Sequence, residues 1–495
     1  MTSQMLRDAR KHEEMFGRNV TEAERPSFHL SAYVGWMNDP NGFCYYKGQY
    51  HMFYQYYPYE PKWGPMHWGH AVSSDLLHWE YAPAALAPDM PYDQDGCFSG
   101  NAAELPDGRL MLMYTGVRKE PQADGTMRDH QTQCLAIGDG INFDKYEGNP
   151  VIESNDLPEG FSRADFRDPK VWRLADGTYR CAAGNRPADG SGQILLFESP
   201  DGISWKYKKV LAENRCRFGL MWECPDFFPL DGRQVLLTSP QDILPQGFEY
   251  HNGNGTLCLI GDYDEETETF HEEFNQSVDY GIDFYAPQTV LTPDGRRVMI
   301  GWMQNWDTIE FRAPHGKWQG QMSLPRELSV RNGRLYQAPI RELLAMRENK
   351  VEHMDVSLQG EMNFPDIHGR KLDMEIEIRP AQDAELYQKF SIHFAANDMF
   401  HTTVSFRPRE RVLKIDRKFS GSRRAIIHQR RSKLASGQDG RLRLRLILDR
   451  YSVEVFVNDG EQVMSATLYT PLTADQVIFG CDGAAVFDVV KYDLR

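Results

Sequence analysis

Three carboxylates in this 495-residue chain stand in surroundings that differ in ways chemistry can use. Asp39 lies in Trp36-Met37-Asn38-Asp39-Pro40-Asn41-Gly42, Asp168 in Phe166-Arg167-Asp168-Pro169, and Glu223 in Trp222-Glu223-Cys224-Pro225. Glu223 is flanked by Trp222, Cys224, Pro225, Phe227 and Phe228. That apolar neighbourhood disfavours the charged form and makes Glu223 the candidate proton donor. Asp39 is bracketed by Asn38 and Asn41, whose amides can donate to a carboxylate and keep it ionised, as a nucleophile requires. Asp168 follows Arg167, so it is expected to stay charged and to hold substrate hydroxyls. An acid, a nucleophile and a third carboxylate, with no metal-ligand set and no phosphate loop, match retaining glycoside hydrolysis, where two carboxyls stand ~5 to 5.5 Å apart. No cofactor is required.

Taken singly, each acid reads as a turn or a capped strand end; their spacing sets them apart. Turn dipeptides recur at Lys47-Gly48, Asp107-Gly108, Asp176-Gly177, Asp231-Gly232 and Asp294-Gly295, each followed by an apolar or aromatic run. The glycines are 60, 69, 55 and 63 residues apart. Units of that length hold four short strands and cannot bury both faces alone, which predicts a five-bladed β-propeller. Nine residues before the five glycines stand Asp39, Ser99, Asp168, Glu223 and Ala286. Equal offset suggests equivalent positions on the strands that line the channel, so the acids of blades one, three and four should converge. Such like charges are costly to keep together, and that cost points to chemistry.

The repeat ends near Leu335. Residues 339–349 read as a short helix, with Pro339 at its first position and Ile340, Leu343 and Leu344 on one face. Beyond it Leu372, Met374, Ile376 and Ile378 alternate with acids, and Leu442, Leu444 and Leu446 with arginines, so a second β-domain, a sandwich, is expected. The whole is therefore all-β: a propeller over 27–337, a linker helix over 338–352 and a sandwich over 353–495.

Composition supports a folded, two-domain chain, since one core stops growing near ~250 to 300 residues. Hydrophobic residues make up 41%, charged residues 25%, and there are 10 Trp, 23 Tyr and 26 Phe. The formal net charge of −16 argues against nucleic acid and anionic lipid as partners. Residues 351–495 are balanced at 21 basic and 21 acidic, so the deficit sits in the first 350. The run from Arg407 to Arg450, with 15 basic and 4 acidic residues, lacks interleaved aromatics. It reads as solvated strand faces or a face turned to the acidic domain rather than a nucleic-acid patch. No apolar run approaches the ~18 residues that span a membrane. The charged first 26 residues lack an export signal, so a cytoplasmic location is expected and the sequons at Asn19, Asn254 and Asn275 have no bearing. The eight Cys show no Cys-x-x-Cys spacing and read as reduced thiols. His67 and His70 lack a third ligand and read as structural.

The three acidic motifs resemble the signatures of glycoside hydrolase family 32, the β-fructofuranosidases. The likeness extends through Tyr54-Gln55, Trp63-Gly64-Pro65-Met66-His67-Trp68-Gly69-His70, Phe98-Ser99-Gly100 and Gly301-Trp302-Met303. The resemblance implies that Asp39 attacks the anomeric carbon of a fructofuranosyl unit, Glu223 acts as acid then base, and Asp168 stabilises the transition state. It implies a sugar pocket lined by Trp36, Asn38, Gln55, Trp63, Phe98, Ser99, Arg167 and Trp302, with a plain core-aromatic reading of Trp63 and Trp302 as the weaker alternative. The substrate implied is sucrose, with sucrose 6-phosphate or short fructo-oligosaccharides as alternatives. A non-catalytic sugar-binding propeller is the rival from another class. The chain is expected to be a monomer or homodimer.

Overall fold

The computed structural model describes residues 2–421 and 427–495. Five antiparallel sheets follow one another along the first two thirds of the chain, and each begins with the strand nearest the axis. These inner strands are Gly35–Tyr46, Gly96–Glu104, Phe166–Arg173, Trp222–Leu230 and Tyr285–Leu291. Their burial is nearly continuous rather than alternating, because neighbouring blades cover both faces. Hydrophobic clusters fill the seams: Phe53, Trp68, Leu112 and Tyr114 between blades one and two, and Leu196, Trp222, Phe227 and Leu236 between blades three and four. The turn glycines keep their predicted role. At Lys47-Gly48 and Asp231-Gly232 both residues are left-handed, with φ of 48° and 85°, and 49° and 76°, the geometry of a two-residue hairpin. The ring closes where Trp318–Gln319 pairs in parallel with Gly35 and Trp36.

After the propeller the chain makes a 3-10 turn over Arg341–Met346 and enters a strand at Arg347. The linker helix expected over 338–352 is therefore shorter and of another type. Leu343 and Met346 are buried as its apolar anchor, but Arg347 onward is extended and joins the next sheet. Two long strands, Arg347–His368 and Gln476–Leu494, pair with each other through four register shifts. Gln476–Leu494 also pairs with Leu372–Pro380 along its C-terminal half and with Lys389–Ala396 along its N-terminal half. One hydrogen-bonded sheet thus bends into two layers around Ile376, Phe390, Leu446, Phe479 and Phe487, a β-sandwich. The arginine strand meets the acidic one in register, with Glu375 opposite Arg445 and Glu377 opposite Arg443.

Sandwich and propeller join through buried ions. Arg326 reaches Glu454 at 2.6 Å and Asp279 at 2.9 Å, and His29 bridges Asp449 at 2.8 Å and Glu454 at 3.0 Å. Burial opposes charge on His29, yet the two carboxylates outweigh it and push its pKa up to about 9. Arg417 pairs with Asp283 of the propeller, and Arg431 stacks on Phe248. Much of the basic run thereby faces the acidic domain or its own strand partners; Arg423 and Arg424 lie outside the described residues. Among the described residues, no helix is long and apolar enough to cross a membrane.

Candidate active site

Every inner strand carries an inserted residue at the same level, and Gly35–Tyr46 has a second between Asn41 and Cys44. Register shifts fall between Met37 and Pro40, Phe98 and Gly100, Arg167 and Lys170, Glu223 and Asp226, and Tyr285 and Gln288. A β-bulge bends the strand and re-aims its side chain, which is how a sheet edge becomes a site. Asp168, Cys224 and Ala286 are left-handed there, with φ of 65°, 49° and 50°. These three are therefore equivalent, and Glu223 stands one residue earlier, level with Arg167 and Tyr285. The equal sequence offset misplaced it because turn lengths differ: two residues in blade four against five at 174–178 and 292–296. The equivalent residues touch. Arg167 donates to Glu223 Oε1 at 3.0 Å, and the Tyr285 hydroxyl donates to Glu223 Oε2 at 2.6 Å.

Asp39, Asp168 and Glu223 line one cavity of about 360 Å³, together with Asn38, Gln55, Trp63, Phe98, Ser99 and Arg167. Ser99 donates to Asp39 Oδ2 at 3.1 Å, while Asp39 Oδ1 has no partner among the described residues. Asn38 accepts the Trp36 indole proton at 2.8 Å and turns its amide to Asp39. Gln55 donates to the Cys97 carbonyl, and Trp63, 44% exposed, meets Phe98 edge-on at the cavity wall. Asp168 accepts the backbone N–H of Cys224 at 3.0 Å, and the Cys224 thiol lies 3.5 Å from the same oxygen.

The electrostatic expectations need correction. Burial, then the charges of Glu223 and Asp168, push the Asp39 pKa up to about 7 against the opposing pull of the Asn38 amide and the Ser99 hydroxyl. Asn41 does not help, because it turns away to accept the Gly100 N–H. Burial pushes Asp168 up to about 6 despite the pull of Arg167. Glu223, for its part, meets a guanidinium and a phenol rather than an apolar wall, since its flanking aromatics point into the seams between blades.

Two expected lining residues are elsewhere. Trp36 and Trp302 are 1% and 0% exposed and pack beneath the cavity with Met66, Tyr285 and Ala286. Trp306, edge-on to Trp302 at 5.2 Å, takes the wall instead. Asp129, Gln131, Ala164, Asp165 and Gln241 also line the cavity and were not expected there. Asp165 stands two residues before Arg167 and pairs with it at 2.9 Å, a spacing open to sequence reading; the others carry no such mark. Outside the cavity, His67 bonds the Pro65 carbonyl, and His70 stacks on Phe53 and meets His51, so both serve the fold.

The raised Asp39 pKa predicts a stability cost. Its folded value exceeds the unfolded one, so the folded state holds the proton more tightly and stability falls as pH rises from about 4 to about 7. Asp39→Asn removes that loss. It should stabilise the protein by about 2 to 4 kcal/mol at pH 8 and by nearly nothing near pH 4. Denaturant unfolding at both pH values checks this, and an equal effect at both would refute it.

A propeller whose inner strands aim three carboxyls at one cavity, with Arg167 and Tyr285 both bonded to Glu223, has the arrangement of a glycoside hydrolase. The model of the glycosyl hydrolases family 32 N-terminal domain matches residues 29–339, and that of the family 32 C-terminal domain matches 342–493. The chain belongs to glycosyl hydrolase family 32. It is 37% identical to a sucrose-6-phosphate hydrolase of Escherichia coli, over 93% of each chain, and 37% identical to a raffinose invertase of Escherichia coli, again over 93% of each. Among solved structures, a Bombyx mori GH32 beta-fructofuranosidase mutant in complex with sucrose is similar at TM-score 0.84 and 34% identity, covering 100% of this chain and 99% of that one.

Proposed function

We propose that the chain is a β-fructofuranosidase that cleaves the terminal non-reducing β-D-fructofuranosyl bond of sucrose with retention. The observation that carries this is the convergence of Asp39, Asp168 and Glu223 on one cavity, with one oxygen of Asp39 left unpartnered. In the first step Asp39 forms a bond to the anomeric carbon as the glycosidic bond breaks, and Glu223 gives its proton to the departing glucosyl oxygen. In the second, Glu223 takes a proton from water, the water oxygen attacks the anomeric carbon, and Asp39 leaves. Asp168 holds ring hydroxyls, and Arg167 and Tyr285 fix the Glu223 carboxyl. No cofactor or metal enters. We place this catalytic unit at 27–337, supported by the sandwich, in a cytoplasmic enzyme that is a monomer or homodimer.

The names of several relatives favour sucrose 6-phosphate as a second reading. The cavity favours the neutral sugar. Its walls hold Asp39, Asp129, Asp165, Asp168 and Glu223 against a single cation, Arg167, which is bonded to Glu223 and Asp165. Lys62 and Arg118, outside it, are paired with Glu60 and Glu120. The kcat/KM for sucrose should exceed that for sucrose 6-phosphate by about tenfold or more, because the one cation lining the cavity, Arg167, is already bonded to Glu223 and Asp165. A preference for the phosphate ester would overturn this choice, and 1-kestose in the same series tests chain length.

A further inference from the structure

The segment from Pro58 to Met66 joins two strands of blade one and carries Trp63 into the cavity wall. It is poorly held by its own backbone. Its one internal main-chain hydrogen bond runs from Lys62 N–H to the Glu60 carbonyl, and no strand ladder crosses it. Side chains must supply the order that the backbone lacks. Tyr57 closes over Gly64, where an added Cβ would lie 2.7 Å from the ring, and Tyr59 meets both Tyr57 and His67 edge-on.

The outer side of Tyr59 is covered by helix α1, Gln4–Gly17, which precedes the family-model match. His12 of α1 lies edge-on to Tyr59 at 4.9 Å and stacks on Phe16 at 4.3 Å. The helix is firmly seated elsewhere. Ser3 caps it by accepting the Leu6 N–H, the buried Glu13 accepts the Ala84 N–H at 2.8 Å, and Arg10 donates to the Ala84 carbonyl at 2.9 Å. A capped helix fixed to blade one thus presses an aromatic ring onto a loop that has no ladder of its own.

We propose that α1 is a positioning element for the sugar cavity, acting through His12 and Tyr59 to hold the loop that carries Trp63. The other ring contacts of Tyr59, to Tyr57 and His67, lie within blade one, and α1 is the one element outside that blade whose ring meets Tyr59 among the described contacts. The effect should appear in sugar binding rather than in bond cleavage, since none of these rings touches the three acids.

The kinetic arm of the test rests on sucrose being a substrate, and a second arm does not. Tyr59→Ala should raise KM for sucrose about five- to tenfold with kcat changed less than about twofold, and His12→Ala should raise it about two- to fivefold. Tyr59→Phe should behave as the parent, because only the ring makes contacts. In a Trp63→Ala background both increases should vanish, as expected for residues acting through Trp63. Independently of any substrate, hydrogen exchange in the full chain should be about tenfold faster at 58–66 in His12→Ala and Tyr59→Ala, with the strand Gln49–Tyr57 unchanged. Increases in KM that persist without Trp63, or exchange at 58–66 that stays at the parent rate, would overturn the proposal. If the parent enzyme leaves sucrose intact, the substrate reading falls, and hydrogen exchange still decides the role of the helix.

Discussion

Asp39→Ala and Glu223→Ala should each lower kcat for sucrose by about three to five orders of magnitude while the fold is retained, because each removes one half of the proposed double displacement. The two losses should differ in kind. Without Asp39 no fructosyl ester can form, so no donor should label the protein. Without Glu223 the ester still forms from a fructoside whose leaving group needs no proton, and it then persists because no base activates water. Mass spectrometry of the intact protein separates the two outcomes. Near-normal turnover in either variant, or a stable adduct in Asp39→Ala, would contradict the assigned roles. The acid limb of kcat/KM carries the same logic: with Asp39 pushed up to about 7, activity should fall as pH drops well above the usual carboxylate range of ~4.

The convergence of the acids was legible because a propeller turns sequence period into angular position. Glycine spacing located the blades, and three acids near one offset located the cavity. The offset erred by one residue at Glu223, since hairpin length varies and a bulge adds a residue that no periodicity records. That single residue changes the electrostatics, placing Glu223 in line with Arg167 and Tyr285. Tyr285 had no sequence mark, because its role depends on a neighbouring blade 62 residues away. Trp36 and Trp302 illustrate the opposite limit: the sequence carries their motif faithfully, but which way a tryptophan faces in a buried strand depends on packing that sequence does not display. Helix α1 escaped notice because its charged composition read only as the lack of an export signal.

Arg326→Ala should cost about 3 to 5 kcal/mol, the range for breaking a buried ion pair by removing one partner. The side chain is fully buried and donates to Glu454, Asp279, Gln337 and Ser465. Its loss leaves Asp279 and Glu454 desolvated, with His29 as the remaining cation bonded to Glu454 among the described residues. Denaturant unfolding measures the cost directly. Activity of the folded fraction at low temperature should be close to the parent's, because Arg326 does not line the cavity. A loss below about 1 kcal/mol would place the interface strength elsewhere, for example in Arg417 and Asp283.

Ring closure bears on the order of events during synthesis. Gly35 and Trp36, among the first propeller residues to leave the ribosome, must wait for Trp318 and Gln319 before the first blade gains its last neighbour. Contacts so distant along the chain are formed late and slowly. A nascent chain holding all three acids therefore still lacks the clasp that locks blade one against the rest, and the cavity takes its final shape only after translation has passed well beyond Glu223.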